Sequence, residues 1–191
     1  SDNSSGGPAI LIEEKTATWC SPCAEFDPLL ADFIVDVGGR AILAAHHPND
    51  GVDSMGSSAS AHRLSRLGAT NSTVTPTVWF DAGVRVQGPL TRSDLVRHVS
   101  AAEGDRPTSS RLSIIPGATS LEATGIIVNL DSTGVDLSNT TLTIMLVETA
   151  VARPVGSVTG DALEVVTRGI TEINLSTSST LVDLPAGKWV V

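Results

Sequence analysis

The chain has 191 residues, of which 41% are hydrophobic and 17% are charged, so it can bury a core and is not a disordered chain. The formal net charge is −9 and the basic residues are scattered, which argues against a nucleic-acid surface because phosphate binding needs a basic patch. No run approaches the ~18 consecutive apolar residues of a membrane span.

Both ends of the sequence are abrupt. SDNSSGGP (1–8) is typical of a linker, and KWVV (188–191) stops on strand-like residues. We therefore expect a fragment of a longer protein from which any targeting or anchoring segment has been removed. N-x-[ST] sequons favour an extracytoplasmic location, either secreted or membrane-anchored; they lie at Asn3, Asn71, Asn139 and Asn174.

The first half of the chain alternates strand-like and helix-like segments, which predicts an α/β domain over residues 9–104. ILIEE (10–14) and AILAA (41–45) suit buried strands. Between them, apolar residues recur with the spacing of one helix face, and Gly38-Gly39 ends the pattern. That face consists of Phe26, Leu29, Leu30, Phe33, Ile34 and Val37.

The rest of this half predicts a loop, a helix, a hairpin and a final helix. HPNDGVDSMGSS (47–58) is loop-like, and ASAHRLSRLG (59–68) is a short helix. PTVWFD and VRVQG flank Ala82-Gly83 as a hairpin in which Trp79 is a core residue. Thr91 and Asp94 form a capping box that opens the last helix. This helix is expected to bury Leu95, Val96, Val99 and Ala102.

The second half predicts an all-β domain. Residues 105–110 are polar and contain a proline, so they indicate a linker. Residues 111–191 carry short alternating apolar runs, separated by turn-forming residues, and predict a small β-sandwich that is cut at its carboxyl end. No catalytic set of residues stands out in this half, and its expected role is packing, spacing or partner binding.

The chain has two cysteines, Cys20 and Cys23, and they lie between the first strand and the first helix in TATWCSPCAEFDP (16–28). Four interpretations compete: a redox pair, half of a metal site, a structural clip, and chance. A helix N-terminus stabilises a thiolate, so Cys20 would attack a disulfide and Cys23 would resolve the product. Zinc needs about four ligands.

The other zinc ligands on offer are His46, His47 and His62, and they count only if the fold brings them to the cysteines. A clip closed over so short a loop restrains little of the unfolded chain. The redox interpretation is therefore favoured, with no metal and no cofactor.

This stretch resembles the thioredoxin superfamily, whose active site is W-C-x-P-C at a strand-to-helix junction. Pro28 falls where thioredoxins carry a helix-kinking proline. TPTVWFDAGVRVQGPLTRSDL (75–95) is similar to the family's cis-proline loop, its hairpin, and the glycine that precedes the final helix. The resemblance covers roughly residues 9–104. The whole architecture is similar to secreted thioredoxin-like proteins that carry a trailing immunoglobulin-like β-domain.

The resemblance implies a set of site residues. Pro76 would be the cis-proline that faces the cysteines, and Thr75 would offer backbone hydrogen bonds to an extended substrate. Trp19 would flank the site, either in contact with substrate or only packed. Glu14 matches a buried acid whose raised pKa would let it take the proton of Cys23. Glu13 is the competitor, since strand alternation should turn one of the two inward, and both could instead lie in water.

Two further points bear on the chemistry. His46 and His47 end the second strand; they are expected to be solvated, with tuning of the thiolate as the alternative. The residues between the cysteines are Ser21 and Pro22; a proline before the second cysteine is shared with thioredoxins and with reductant-type relatives, and the histidine that would favour an oxidase is absent, so a reductant is favoured. We expect a thiol-disulfide oxidoreductase for protein disulfides, served by a redox partner that recycles the cysteine pair. The alternative is a scaffold or surface protein whose β-domain binds a partner.

Overall fold

The computed structural model describes residues 9–105, 111–116, 125–131, 141–152, 163–174 and 179–183. The chain forms two compact units, one of residues 1–106 with 147–169 and the other of residues 107–146 with 170–191. No helix among the described residues is long and apolar enough to cross a membrane. The predicted linker 1–8 and residues 106–110 of the second predicted linker lie outside the described residues.

The first unit has the predicted order of strand, helix, strand, helix, hairpin and helix. Its elements are β1 Ile10–Lys15, α1 Cys23–Asp36, β2 Ala41–His46, α2 Ser58–Arg66, β3 Thr77–Phe80, β4 Val84–Gln87 and α3 Arg92–Asp105. Strand β1 pairs parallel with β2 and antiparallel with β3, and β3 pairs antiparallel with β4. Strand β1 is therefore central, with a neighbour on each side.

One face of this sheet carries the apolar core. Ile10 and Ile12 point to that face, as do their neighbours Val78 and Phe80 on β3. Helices α1 and α3 cover it with six side chains, which are Phe26, Leu30, Phe33, Leu90, Leu95 and Val99 with Leu90 just before α3. The apolar periodicity of α1 is thus confirmed, and its chain leaves the helix through Gly38, whose φ of 57° suits glycine.

The last helix differs from its prediction at one position. The capping box is confirmed, because the Asp94 N–H donates to Oγ1 of Thr91 and the Thr91 N–H donates to the Asp94 carboxylate. Leu95 and Val99 are buried, but Val96 is half exposed. One residue further along a helix turns the side chain by ~100°, which takes Val96 off the core face. The prediction that it is buried was wrong.

Two later strands, β7 Thr141–Ala152 and β8 Leu163–Asn174, extend this sheet in the order β2-β8-β7. Strand β8 runs parallel to β2, with Val166 opposite Ala45. The hydroxyls of Ser57 and Ser60 at the start of α2 each lie 3.3 Å from the Thr167 carbonyl oxygen and donate to it. Residues 147–169 group with the first unit. The division into domains of 9–104 and 111–191 stays a prediction.

The second unit contains a three-stranded antiparallel sheet. Its strands are β5 Arg111–Pro116, β6 Gly125–Asp131 and β9 Ser179–Asp183, in the order β5-β6-β9. The alternation of Ile126, Val128 and Leu130 predicted β6 correctly. That this part of the chain is an immunoglobulin-like sandwich stays a prediction.

Candidate active site

The two cysteines are joined in a disulfide at the amino end of α1. Cys23 is the first residue of the helix and is fully buried, whereas Cys20 lies before it and keeps slight exposure. A tight turn holds the pair, since the Cys23 N–H donates both to the Cys20 carbonyl, with N and O 3.2 Å apart, and to Sγ of Cys20 at 3.3 Å. Sγ of Cys20 therefore lies at the end of the helix where unpaired N–H groups collect.

The amino end of α1 has no side-chain cap. Pro22 occupies the cap position and offers no acceptor to the first N–H groups of the helix. The positive end of the helix dipole is consequently left for Cys20, where it would stabilise negative charge on sulfur once the disulfide is reduced. Cys20 thus lies at this end of the helix with slight exposure, whereas Cys23 has none.

Trp19 flanks the disulfide and is 45% exposed. Its indole N–H donates to Oδ2 of Asp50 at 3.2 Å. Oδ1 of Asp50 accepts the backbone N–H groups of Val52 and Asp53. Burial raises the pKa of Asp50, but these hydrogen bonds lower it more, so the pKa lies below its usual value. The carboxylate of Asp50 is thus fixed by its own loop and in turn orients Trp19.

Asp53 ties the same loop to the segment before the cysteines. Its Oδ2 accepts the Thr18 N–H at 2.9 Å and lies 2.9 Å from Nδ1 of His47, while Oδ1 accepts the Met55 N–H. Burial raises the pKa of Asp53, but the hydrogen bond from His47 and the other contacts bring the pKa below its usual value. His47 is fully buried, so the prediction that it is solvated was wrong.

A second buried polar cluster lies on the α2 face of the sheet. Both carboxylate oxygens of Glu13 accept from Arg63 at 2.7 Å, and Oε1 also lies 3.0 Å from Nε2 of His46. Burial raises the pKa of Glu13, but Arg63 and His46 lower it to below its usual value. Burial lowers the pKa of His46, against the opposing effect of Glu13.

The predictions for these strand-end residues therefore need correction. His46 is buried, not solvated, and Glu13 and Glu14 are both buried, so neither lies in water and the expectation of one inward residue was wrong. Alternation does turn them to opposite faces, but β1 is a central strand with helices over both faces. Glu14 shares the face of Ile12 and α1, whereas Glu13 shares the face of α2.

Sequence reasoning missed a further buried acid, Asp27. It lies on α1 four residues after Cys23, which places both side chains on the same side of the helix. Its Oδ2 accepts the Thr16 hydroxyl at 2.8 Å. The signal was present in the sequence, because Asp27 follows Phe26 within the apolar face of the helix. Two buried carboxylates, Glu14 and Asp27, thus lie on the α1 side of the sheet.

The loop before β3 carries Thr75 and Pro76, the two residues that the resemblance assigns to substrate contact. The Thr75–Pro76 peptide bond is cis, and Pro76 is buried where the loop enters the strand. Beside this loop a groove of about 920 Å³ runs to Trp19. Its walls come from β1, the loop after β2, helix α2 and the loop before Pro76, and they include Lys15, Trp19, Asp50, Thr73, Val74 and Thr75.

The zinc interpretation gains no support from the described residues, in which no three His, Cys, Asp or Glu side chains are arranged to hold a metal ion. His46 and His47 are engaged by Glu13 and Asp53. His62 is exposed on α2. What the site can do therefore depends on the cysteine pair and the acids around it.

No protein-family model matches the chain, and no curated protein matches its sequence. Solved structures do match. A protein of Agrobacterium tumefaciens, AGR_C_4864, is 16% identical with a TM-score of 0.60, over 94% of this chain and 80% of that protein. HBP35 of Porphyromonas gingivalis is 15% identical with a TM-score of 0.68, over 94% of this chain. The chain spans 65% of HBP35, which is less than two thirds of its length.

A thioredoxin-related protein from Neisseria meningitidis serogroup B matches 55% of this chain and 93% of its own, with 18% identity and a TM-score of 0.40. At these identities the likeness concerns the fold alone. The first unit is mixed α/β and carries a C-x-x-C disulfide at the amino end of α1.

Proposed function

We propose that this protein is a thiol-disulfide oxidoreductase that acts on protein disulfides through Cys20 and Cys23. The observation that carries the proposal is the position of Cys20, whose Sγ accepts the Cys23 N–H at 3.3 Å at the uncapped end of α1. A reduced Cys20 would be held there as a thiolate, which is the form that attacks disulfides.

In the reductive direction, the Cys20 thiolate attacks one sulfur of the substrate disulfide. The substrate S–S bond breaks, a mixed disulfide forms, and the first substrate sulfur leaves as a thiolate that takes up a proton. Cys23 then loses its proton and attacks Sγ of Cys20, which releases the second substrate thiol. Two electrons have passed to the substrate, the Cys20–Cys23 disulfide has formed, and a separate dithiol partner must reduce it again.

We propose that Glu14 accepts the proton of Cys23, and the alternative acceptor is Asp27. Glu14 is buried on the strand face that packs against α1, and Asp27 is buried one turn after Cys23. In Glu14→Gln, resolution of a trapped Cys20 adduct should slow about a hundredfold, the scale of general acid-base catalysis. The matched variant is Asp27→Asn. Slow resolution in Asp27→Asn with a normal rate in Glu14→Gln would move the role to Asp27.

Trp19, Thr75 and Pro76 are proposed to contact the substrate. Trp19 and Thr75 line one groove, and their neighbours in the sequence are Cys20 and Pro76. Two exposed apolar side chains lie in the same loops, Val74 in the wall of the groove and Val52 in the loop that carries Asp50. Apolar surface of this kind beside a reactive disulfide supports binding of a protein segment rather than of a small ion.

The direction of electron flow and the compartment are also proposals. Ser21-Pro22 adds no cationic side chain between the cysteines, which favours a reductant. The four sequons favour action outside the cytoplasm. A redox titration should give a potential below about −200 mV, and a potential well above that value would identify an oxidant.

The decisive experiment is reduction of insulin in dithiothreitol, followed by turbidity. The wild type should accelerate precipitation, and Cys20→Ser should not. Ser21→Ala, a neighbouring exposed position, is the matched control and should retain most of the rate. Equal rates in the wild type and in Cys20→Ser would contradict the proposed enzymatic activity and would favour a scaffold whose β-domain binds a partner.

A further inference from the structure

Lys15 is a buried lysine in the wall of the groove that runs to Trp19, the residue before Cys20. It ends β1, its side chain lies on the α2 face of the sheet, and the residue is 7% exposed. Its Nζ donates to the Thr73 carbonyl oxygen at 2.6 Å. Ten of the twelve basic residues of the chain are arginine, so this position holds one of just two lysines.

The positive charge of Lys15 is poorly compensated. Among the described residues it forms no ion pair with a carboxylate, and Asp50 acts on it only at longer range. Both oxygens of Asp50 already accept other donors, Trp19 on one and two backbone N–H groups on the other. Burial lowers the pKa of Lys15, Arg85 lowers it further, and Asp50 opposes both.

A second cation lies close to the same loop. Nη2 of Arg85 donates to Oγ1 of Thr73 at 3.2 Å, so Lys15 and Arg85 both bind Thr73. The Arg85 guanidinium lies 5.7 Å from the centre of the Trp79 ring, which holds it beside the sheet. Two positive charges thus meet beside a groove in a chain whose net charge is −9.

A buried ammonium with one neutral acceptor is costly, and a carboxylate would relieve that cost with a charge-assisted hydrogen bond. An ammonium has three donors, and Thr73 takes one of them. The groove leads from Lys15 to Trp19 and Thr75, the residues assigned to the substrate. A carboxylate at Lys15 would therefore belong to the same molecule whose disulfide reacts.

We propose that the groove binds a carboxylate of the disulfide substrate, an aspartate or glutamate side chain near the target cysteine, through Lys15 with Arg85 beside it. The inference rests on the proposed function and gives it a substrate class: acidic protein segments. It makes Lys15 a specificity-determining residue, whereas the cysteines carry the chemistry.

The first test uses the wild-type protein and matched disulfide-linked peptides, with a glutamate at successive positions on either side of the cysteine and glutamine in its place as control. At the favoured position, kcat/KM for the glutamate peptide should be about tenfold higher, the ratio that one charge-assisted hydrogen bond supplies. The ratio should fall as salt is added. A ratio of one or less at every position would overturn the proposal.

The second test removes the charge. Lys15→Met should bring the glutamate-to-glutamine ratio close to one. Arg97→Met, which removes the same charge from an exposed site on α3, should keep the wild-type ratio. A ratio kept by Lys15→Met would overturn the assignment. If Lys15→Met does not fold, the glutamate-to-glutamine ratio of kcat/KM in the wild-type protein tests the proposal by itself.

Binding separates this proposal from the proposed function. Peptides with serine for the cysteine can be titrated against the oxidised protein by NMR, and this needs no turnover. The glutamate form should bind about tenfold more tightly. Tighter binding of the glutamate peptide without turnover of any disulfide would contradict the proposed enzymatic activity and would still support the carboxylate site. Oxidised glutathione, a small disulfide with carboxylates, should react more slowly than the glutamate peptide, and faster reaction would overturn the assignment to a protein segment.

Discussion

The two faces of the central sheet are held by different forces, although they share one strand. On the α1 and α3 face, Ile12 packs among aromatic and aliphatic side chains. On the α2 face, Glu13 is buried in contact with Arg63 and His46. Neighbouring residues of β1 thus enter an apolar core and a charged network. The α1 and α3 face depends mainly on the burial of apolar side chains, although it also carries the buried acids Glu14 and Asp27. The α2 face depends on keeping each charge paired.

The comparison also separates a residue that stabilises the fold, Glu13, from a residue that we propose takes part in the reaction, Glu14. Glu13 has three close contacts that fix it in a network beneath α2. Glu14, one residue on, lies on the face that carries α1 and the cysteines. Two identical side chains in adjacent positions are therefore expected to fail in different assays, one in stability and one in rate.

The largest effect is expected at Arg63. Arg63→Met leaves Glu13 buried without its main partner, and this should lower the free energy of unfolding by about 3–5 kcal/mol. Urea denaturation at neutral pH measures it. Arg66→Met, an exposed position on the same helix, should cost less than about 1 kcal/mol. Equal costs at the two positions would mean that the α2 face does not depend on its charge pairs.

The next effect distinguishes the two glutamates. Glu13→Gln removes charge-assisted hydrogen bonds and should cost about 1.5–3 kcal/mol of unfolding free energy. Glu14→Gln should act on the rate of Cys23 attack instead. Denaturation and adduct resolution are measured for both variants. A slow resolution rate in Glu13→Gln, with its stability unchanged, would contradict the division of roles.

Acid should weaken the α2 face through His46 and Glu13. The pKa of His46 is lowered from 6.5, so below about pH 6.5 the unfolded chain takes up the proton first and stability falls with pH. The pKa of Glu13 is lowered from 4.5, so its contribution is complete above that pH and is lost as the pH falls through the lower folded value. Each group contributes at most about 1.4 kcal/mol per pH unit.

This pH dependence is measured by denaturation at a series of pH values. His46→Gln should flatten the curve just below about pH 6.5, because the variant has no imidazole to protonate. Leu30→Ala, in the apolar core, should lower stability by the same amount at every pH. An unchanged slope in His46→Gln would assign the acid sensitivity to another group.

The smallest effect is at the start of α3. Thr91→Ala removes the hydroxyl that accepts the Asp94 N–H and should cost about 1 kcal/mol. Ser100→Ala, at an exposed position within the same helix, should change stability by less than about 0.5 kcal/mol. A melting curve for each variant is sufficient. The cap is exposed, so its loss should not differ between neutral and mildly acidic pH.

The sequence predicts the elements of the first unit well because their signals are local. The spacing of Phe26, Leu30 and Phe33 fixes a helix face, and Thr91 with Asp94 marks a helix start. Val96 shows the limit of such patterns. The sequence does not distinguish an apolar residue that lies beside the core face of a helix from one that lies on that face. The cysteine pair was found for the same reason, because both cysteines lie within one short segment of the sequence.

Contacts between distant residues could not be predicted in this way. No local pattern around Glu13 predicts its hydrogen bond with Arg63, which lies fifty residues later in the chain. His47 was expected in water because a strand end is usually exposed, and its partner Asp53 lies in an irregular loop. The pairing of β8 with β2 is of the same kind, because alternation identifies a strand without identifying its neighbour.

The pairing of β8 with β2 has a consequence for synthesis. Val166 lies about 120 residues after Ala45, so at ~5–20 residues per second the ribosome needs roughly 6–24 s to deliver the partner of β2. Until then the edge of β2 presents unpaired N–H and C=O groups, which are a template for pairing with other chains. The nascent protein therefore has a period of exposure that ends when its own later strand closes the sheet.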